Sequence, residues 1–327
     1  MPGNTLSQES LVVRLDVSYY ASLCWYCLQQ LGFAHSPLNP HYAVWAERME
    51  DLGAALIFNS PDAGGPLFTF VYQIPAYLNP TDLADLDEIL KATKVFLHSA
   101  DLKAFDQWPD KTLHWDEWYH GPARRRMRRA LGGREESAAE LLDLWFEFIA
   151  HLWPLYRETY TRKMRGYPFD ACEERANRLG AFESWQREYH LDYPYTTFGL
   201  VICPENPTYA SSLGPEKVVF GAIHGWSDLR HALVHELGVR FPGLHRLAEN
   251  PEVRTLMEED ELGVLKLLEA EVCVRKRRLL PDLDEDVFER SKRLERLVAW
   301  RAEQTVNGNF LADFASLYRE AREANLL

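Results

Sequence analysis

The chain has 327 residues, of which 46% are hydrophobic and 13% are aromatic, so it can bury a large core in one large or two ordinary domains. Its 36 basic and 49 acidic residues give a formal net charge of -13. Because an acidic surface repels nucleic acid and anionic membranes, we expect neither as a partner. No apolar run approaches the roughly 20 residues of a membrane span, and the first residues lack the basic and apolar pattern of a signal peptide.

Hydrophobic periodicity predicts one strand and a series of helices in the N-terminal half of the chain. Alternating, partly β-branched side chains indicate the strand. A glycine marks the end of the first predicted helix. The predicted elements are a strand at Leu11–Val17, helices at 18–32 and Tyr42–Leu56, an apolar run of uncertain type at 66–74, and an almost wholly helical stretch from Asp82 to Tyr160.

The sequence pattern changes near Tyr193, where strands and then helices are predicted. The predicted elements are strands at 196–204 and 216–225, a helix capped by Ser227 or Asp228 that stops at 241–243, and helices at Glu258–Leu280 and Asp284–Arg322, the last with a break near Asn307-Gly308. The whole chain is therefore predicted to be helix-rich α+β, with a short antiparallel or mixed sheet. A boundary near residue 165 would separate a helical N-terminal region of unknown role, 1–165, from a C-terminal core, 166–327.

The chain contains five cysteines, an odd and low number that favours reduced thiols and a cytoplasmic protein. Two of them form a C-x-x-C sequence, Cys24 to Cys27, which is also found in thioredoxin-like redox sites. A redox site needs its first cysteine at a helix N-terminus, whereas this helix is predicted to begin near Ser18. We therefore expect both thiols to pack in the core.

The stretch HALVHELGV, residues 231 to 239, is the strongest candidate for chemistry. His231 and His235 are four residues apart, so they share one face of a helix and could grip one zinc ion. In the zinc-peptidase pattern H-E-x-x-H, the glutamate beside the first histidine activates the zinc-bound water. Here His235-Glu236 begins that pattern, but Val239 occupies the position of the second histidine.

The sequence Leu233-Val234-His235-Glu236-Leu237-Gly238 resembles the H-E-x-x-H core of the zincin metallopeptidases. Two predicted strands precede this helix, as in zincins, and the second of them, Lys217 to Ile223, would run along the substrate cleft. The later segment from Leu268 to Pro281 resembles the glutamate helix of gluzincins, in particular the ImmA/IrrE-like peptidases. The resemblance covers about residues 195 to 282.

The gluzincin resemblance implies a zincin-like core, a zinc cofactor and hydrolysis of a peptide or amide bond in a peptide or protein substrate. It implies that His235 and Glu269 bind zinc and that Glu236 activates water. Glu271 is the alternative to Glu269, because the alignment can slip by one or two residues, and His231 is the best candidate for the missing third ligand.

Two other interpretations remain open at the level of sequence. Since Val239 cannot bind metal, the chain could be a non-catalytic descendant that acts as a binding or regulatory protein. Alternatively, the histidines could be ordinary hydrogen-bonded helix residues, and Glu269 could pair with an arginine. His224 and His245 flank the helix and are further candidate ligands, without a spacing argument.

Overall fold

The structure, a computed structural model, describes residues 11–33, 36–53, 69–99, 101–109, 131–206, 210–214, 216–221, 226–282, 292–304 and 310–327. Helices dominate these residues, and four short strands form one sheet, so the predicted helix-rich α+β class is confirmed. Among the described residues, no helix combines the length and the apolar character that a bilayer span requires.

In the described part of the chain, a long run of helices separates the first strand from the other three. The helices are α1 (Tyr19–Gln30), α2 (Ala43–Asp51), α3 (Ile74–Leu78), α4 (Leu83–Ser99), α5 (Glu135–Met164), α6 (Phe169–Arg178), α7 (Ala181–Tyr189), α8 (Trp226–Arg240), α9 (Leu244–Leu247), α10 (Pro251–Leu279), α11 (Lys292–Gln304) and α12 (Phe310–Glu323). The strands are β1 (Val12–Val17), β2 (Thr197–Ile202), β3 (Ala210–Ser212) and β4 (Lys217–Phe220).

The chain divides into two compact units, and each is assembled from separate segments. Unit 1 comprises Met1–Arg14, Asp170–Gly199 and Gly225–Leu327, and unit 2 comprises Leu15–Phe169 and Leu200–His224. One boundary therefore falls close to the predicted division at residue 165. Residues 200–224, which that division assigns to the C-terminal core, belong to unit 2.

The core of unit 2 is built from α1, α3, α4 and α5, whose large side chains are fully buried. The Trp145 indole donates a 3.1 Å hydrogen bond to the Tyr20 hydroxyl, which in turn donates to the Val71 carbonyl. Cys24 and Cys27 are fully buried in the same core, and burial raises the pKa of both thiols well above the ordinary value. The prediction that this C-x-x-C pair packs in the core is confirmed.

The sheet has the strand order β1-β2-β4-β3. Three of its strands, β1, β2 and β4, run parallel. Of the two predicted alternatives, an antiparallel or a mixed sheet, the antiparallel one is therefore wrong. Of the described strands, only β3 pairs antiparallel, with Ala210 opposite Phe220 on β4. The strand β3 lies between the two predicted strands, 196–204 and 216–225, where no strand is predicted from the sequence. Because β3 makes the reversal, β2 and β4 can point in the same direction.

Several helix boundaries differ from the predicted ones. The helix α2 ends at Asp51, whereas the predicted helix continued to Leu56, and 54–56 lie outside the described residues. The uncertain apolar run contains a π-helical turn at Thr69–Gln73 followed by α3. The helix α8 begins at Trp226, slightly before the predicted caps. The predicted break near Asn307-Gly308 lies outside the described residues.

The helix α10 begins at Pro251 rather than at the predicted Glu258. The Asn250 side chain caps it by accepting from the Glu252 amide at 2.9 Å, and a proline is favoured at the first helical position. The helix is kinked at Asp260, whose backbone is non-helical. The Asp260 carboxylate accepts hydrogen bonds from Tyr318 at 2.7 Å and from the Gly263 amide at 3.0 Å, so the side chain compensates for the interrupted helix.

In unit 1, α8 packs closely against α7 at a glycine. A Cβ atom at Gly238 would lie only 2.4 Å from Cζ2 of Trp185. The Trp185 indole also donates a 2.8 Å hydrogen bond to the Val234 carbonyl, which fixes the ring against α8. The glycine in the H-E-L-G sequence is therefore explained by the packing of one tryptophan.

We predict that Gly238→Ala destabilises unit 1. Alanine favours a helix over glycine by about 1 kcal/mol, but overpacking against a fixed ring costs about 1–3 kcal/mol, so the net effect is a loss. Urea unfolding measures this change in the free energy of unfolding. In a Trp185→Phe background, which removes the clashing ring atoms, the same substitution costs less. A stabilisation by Gly238→Ala in the Trp185 protein would contradict the packing explanation.

Candidate functional site in unit 1

Two helices of unit 1, α8 and α10, present the candidate residues to each other. His231 and His235 are one turn apart on α8, and both are buried. On α10, Glu269, Cys273 and Lys276 follow the spacing of one helix face, i, i+4 and i+7. His231 contacts the later residue Lys276 and His235 contacts the earlier residue Glu269, so the two helices run antiparallel along this seam.

His235 forms a direct contact with Glu269. Its Nε2 atom lies 3.1 Å from Oε2 of Glu269. Burial lowers the pKa of His235, but hydrogen bonds with Cys273 and Glu269 and the negative charges of Glu269 and Glu236 outweigh burial and raise this pKa to about 9. At neutral pH the pair is therefore a buried imidazolium and a carboxylate.

His231 has a different partner, the buried side chain of Lys276. The Nζ atom of Lys276 lies 3.0 Å from Nε2 of His231. Burial and the positive charges of Lys276 and His235 lower the pKa of His231 to about 4, against an opposing contribution from Asp228. His231 is therefore neutral at physiological pH and is placed beside a cation.

The candidate base Glu236 lies next to an arginine of its own helix. Its Oε2 atom is 3.6 Å from a guanidinium nitrogen of Arg240, one turn later, and both side chains are largely buried. This contact gives the Glu236 carboxylate a structural role as one half of an ion pair within α8.

The structure separates the two alternative glutamates of α10. Glu269 faces His235, whereas Glu271 is buried on another side and contacts Nε of Arg275 at 2.9 Å. Arg275 also donates to the Glu188 carbonyl at 2.9 Å and lies over the ring of Tyr189. Burial raises the pKa of Glu271, and Arg275 opposes this shift. Glu271 therefore connects α10 to α7 and does not approach the histidines.

Among the described residues, the donors around His235 do not make up a complete zinc site. A zinc site needs at least three protein ligands, and within the described residues no group of three or more His, Cys, Asp or Glu side chains is arranged to hold a metal ion. Val239 has no donor atom, and the Nε2 atom of His231 contacts Lys276. His224 and the side chain of His245 lie outside the described part of the chain.

A scan against protein-family models finds no match for this chain, and searches against curated proteins and solved structures find no match either. The gluzincin resemblance consequently rests on the motif residues alone.

Sequence reasoning missed the three cations that surround the candidate residues. Arg240 follows Glu236 by four residues and Arg275 follows Glu271 by four, and this i, i+4 spacing on a helix is a recognisable signal for ion pairs. Lys276 also had a signal, because it continues the helix face of Glu269 and Cys273. A search for metal ligands passes over lysine, which has no lone pair to offer when charged.

We predict that Arg275→Met is strongly destabilising. It leaves the Glu271 carboxylate buried without its guanidinium, and breaking a buried pair in this way costs about 3–5 kcal/mol. The matched control is Arg278→Met, whose more exposed side chain lies 3.5 Å from Glu188 and should cost only about 0–1 kcal/mol. Urea unfolding that gave equal losses for the two variants would show that the Glu271 pair is not buried as described.

We also predict opposite pH dependences for the two histidines. The pKa of His235 is about 9 in the folded protein and about 6.5 in the unfolded chain. Its pair with Glu269 therefore stabilises the fold fully below pH 6.5, and this contribution is lost as the pH rises through 9. The difference in unfolding free energy between the wild type and His235→Asn should shrink over that range.

His231 is the matched comparison, because its folded pKa is lowered to about 4. Its contribution is present above pH 6.5 and is lost as the pH falls through 4, so His231→Asn should alter the acid limb of the stability curve. Denaturant unfolding at a series of pH values measures both limbs. The assignment fails if both variants change the same limb.

Proposed function

We propose that this protein is a non-catalytic binding or regulatory protein that keeps the helix pair of a gluzincin-like core without its metal chemistry. Its ligand would be a peptide or protein segment, and nucleic acid and membranes remain unexpected partners because of the net charge of -13. The cytoplasm is the proposed location, which is supported by the reduced state of all five cysteines.

The observation that carries this proposal is the lack of a third ligand for the pair of His235 and Glu269. Val239, at the position of the second histidine of the motif, has no donor atom. The Nε2 atom of His231, the best substitute, lies 3.0 Å from Nζ of Lys276. Two protein ligands alone are fewer than the three that a zinc site needs.

A second candidate function is the zinc-dependent peptidase or amide hydrolase that the resemblance implies. It is favoured by the same two side chains, since α8 and α10 bring His235 and Glu269 together as the gluzincin arrangement requires. In this function His235, Glu269 and His231 would hold zinc, which would supply an activated water, and Glu236 would accept its proton. The contact of His231 with Lys276 counts against this alternative.

Metal analysis of protein purified without chelator distinguishes the two functions. We expect far less than stoichiometric zinc, no change in zinc content for His235→Ala relative to the control His98→Ala, and a folded protein in chelator. His98 is suitable as a control because it is exposed on α4 in unit 2.

The opposite result would support the enzyme. It consists of stoichiometric zinc that is lost in His235→Ala but retained in His98→Ala, together with hydrolysis of unstructured peptides that is lost in Glu236→Gln. Mass spectrometry of a peptide mixture incubated with the protein detects that hydrolysis. Retained zinc with hydrolysis abolished by Glu236→Gln would exclude a non-catalytic function.

A further inference from the structure

The lysine in the polar seam between α8 and α10 is one of the most deeply buried charged residues of the structure. Lys276 is only 2% exposed, and His231, which it contacts, is 5% exposed. Charged lysines are almost never fully buried unless they have a partner. The 3.0 Å contact between Nζ of Lys276 and Nε2 of His231 therefore needs a chemical explanation.

The contact joins two nitrogen atoms, so one of them donates and the other accepts. We assign the donor to Lys276, because an ammonium group has three donors and no acceptor. In this assignment His231 is neutral with its proton on Nδ1, and its Nε2 atom accepts from Lys276. A metal ion would need a ring nitrogen with a free lone pair. Lys276 takes the lone pair of Nε2, and the other nitrogen carries the proton.

The charge of Lys276 acts in the same direction. The ammonium lies beside one histidine of a pair that is a single helix turn apart, and it shares a helix face with Glu269 and Cys273. A divalent cation bound by His235 and Glu269 would therefore lie close to a fixed positive charge in a poorly hydrated interface, where charges of the same sign repel strongly.

We infer that Lys276 is a built-in cation that takes the place of a metal ion between α8 and α10 and excludes divalent cations from His231, His235 and Glu269. This inference rests on the proposed non-catalytic function. The inference gives two causes for the loss of the metal site. One is Val239, which stands where the motif has its second histidine, and the other is the charge of Lys276. Removing the lysine charge should therefore create a weak metal site from the remaining three donors.

The experiment is a titration of the full-length protein with Co²⁺, followed by visible absorption and by calorimetry. We expect the wild type to bind Co²⁺ only weakly, below stoichiometric occupancy. Lys276→Met, which keeps the length of the side chain but not its charge, should bind Co²⁺ more tightly by on the order of 10- to 100-fold, the range that changes around metal ligands produce. This gain should be lost in Lys276→Met combined with His231→Ala.

Lys266→Met is the matched control, because Lys266 is exposed on the same helix. This substitution should leave Co²⁺ binding unchanged. A folded Lys276→Met protein without any gain in Co²⁺ affinity would overturn the inference about Lys276 and leave the proposed function intact. Stoichiometric, His235-dependent Co²⁺ binding by the wild type would overturn the proposed function as well.

A second measurement on the wild type decides the matter if Lys276→Met does not fold. Nitrogen-15 NMR of histidine-labelled protein identifies the tautomer of His231, with His231→Gln used to assign its signals. We expect a proton on Nδ1 and a hydrogen-bonded acceptor at Nε2. A proton on Nε2 would contradict the inference, since that nitrogen could not then accept from an ammonium group.

Discussion

The candidate site of unit 1 depends on two polar contacts buried between α8 and α10, His235 with Glu269 and His231 with Lys276. A buried charge is strongly destabilising unless it has a partner. Sliding one helix along the other would break both contacts together and leave charged groups in the interface. The two pairs therefore specify the antiparallel register of α8 and α10, in addition to any stability that they contribute.

Other contacts of unit 1 hold this helix pair in place from the outer sides. On α8, Gly238 allows Trp185 of α7 to approach the helix backbone. On α10, the buried pair of Glu271 and Arg275 reaches Glu188 on α7. The helix α7 is thus bound to both partners, once by close apolar packing and once by an ion pair. This arrangement leaves Glu269, and not Glu271, to face the histidines.

The sequence predicted the residues of the site better than it predicted their chemical partners. The four-residue spacing placed His231 and His235 on one face, and the motif resemblance selected Glu269 and Glu271 on the later helix. Residues two apart differ by about 200° around a helix, so only one of these glutamates could face α8. The choice between them depended on the register of two distant helices, which a local pattern does not contain.

The errors in the fold have the same physical origin. The strand β3 is only three residues long, Ala210–Ser212, and its pairing with β4 is a long-range interaction that no periodicity in so short a segment could reveal. Because β3 was not predicted, the sequence left open whether β2 and β4 run parallel or antiparallel. The start of α10, in contrast, had a local signal in Asn250-Pro251, a cap followed by a proline. The helical character of most segments was correctly predicted because hydrophobic periodicity is local.

The most direct test of a metal-free helix pair is a crystal structure of the full chain, produced in zinc-supplemented medium, with anomalous diffraction data collected on both sides of the zinc absorption edge. We expect no anomalous peak beside His235, a direct hydrogen bond from His235 to Glu269, and Lys276 against His231. An anomalous peak bound by His235 and Glu269, with Lys276 displaced from His231, would contradict the proposed non-catalytic function.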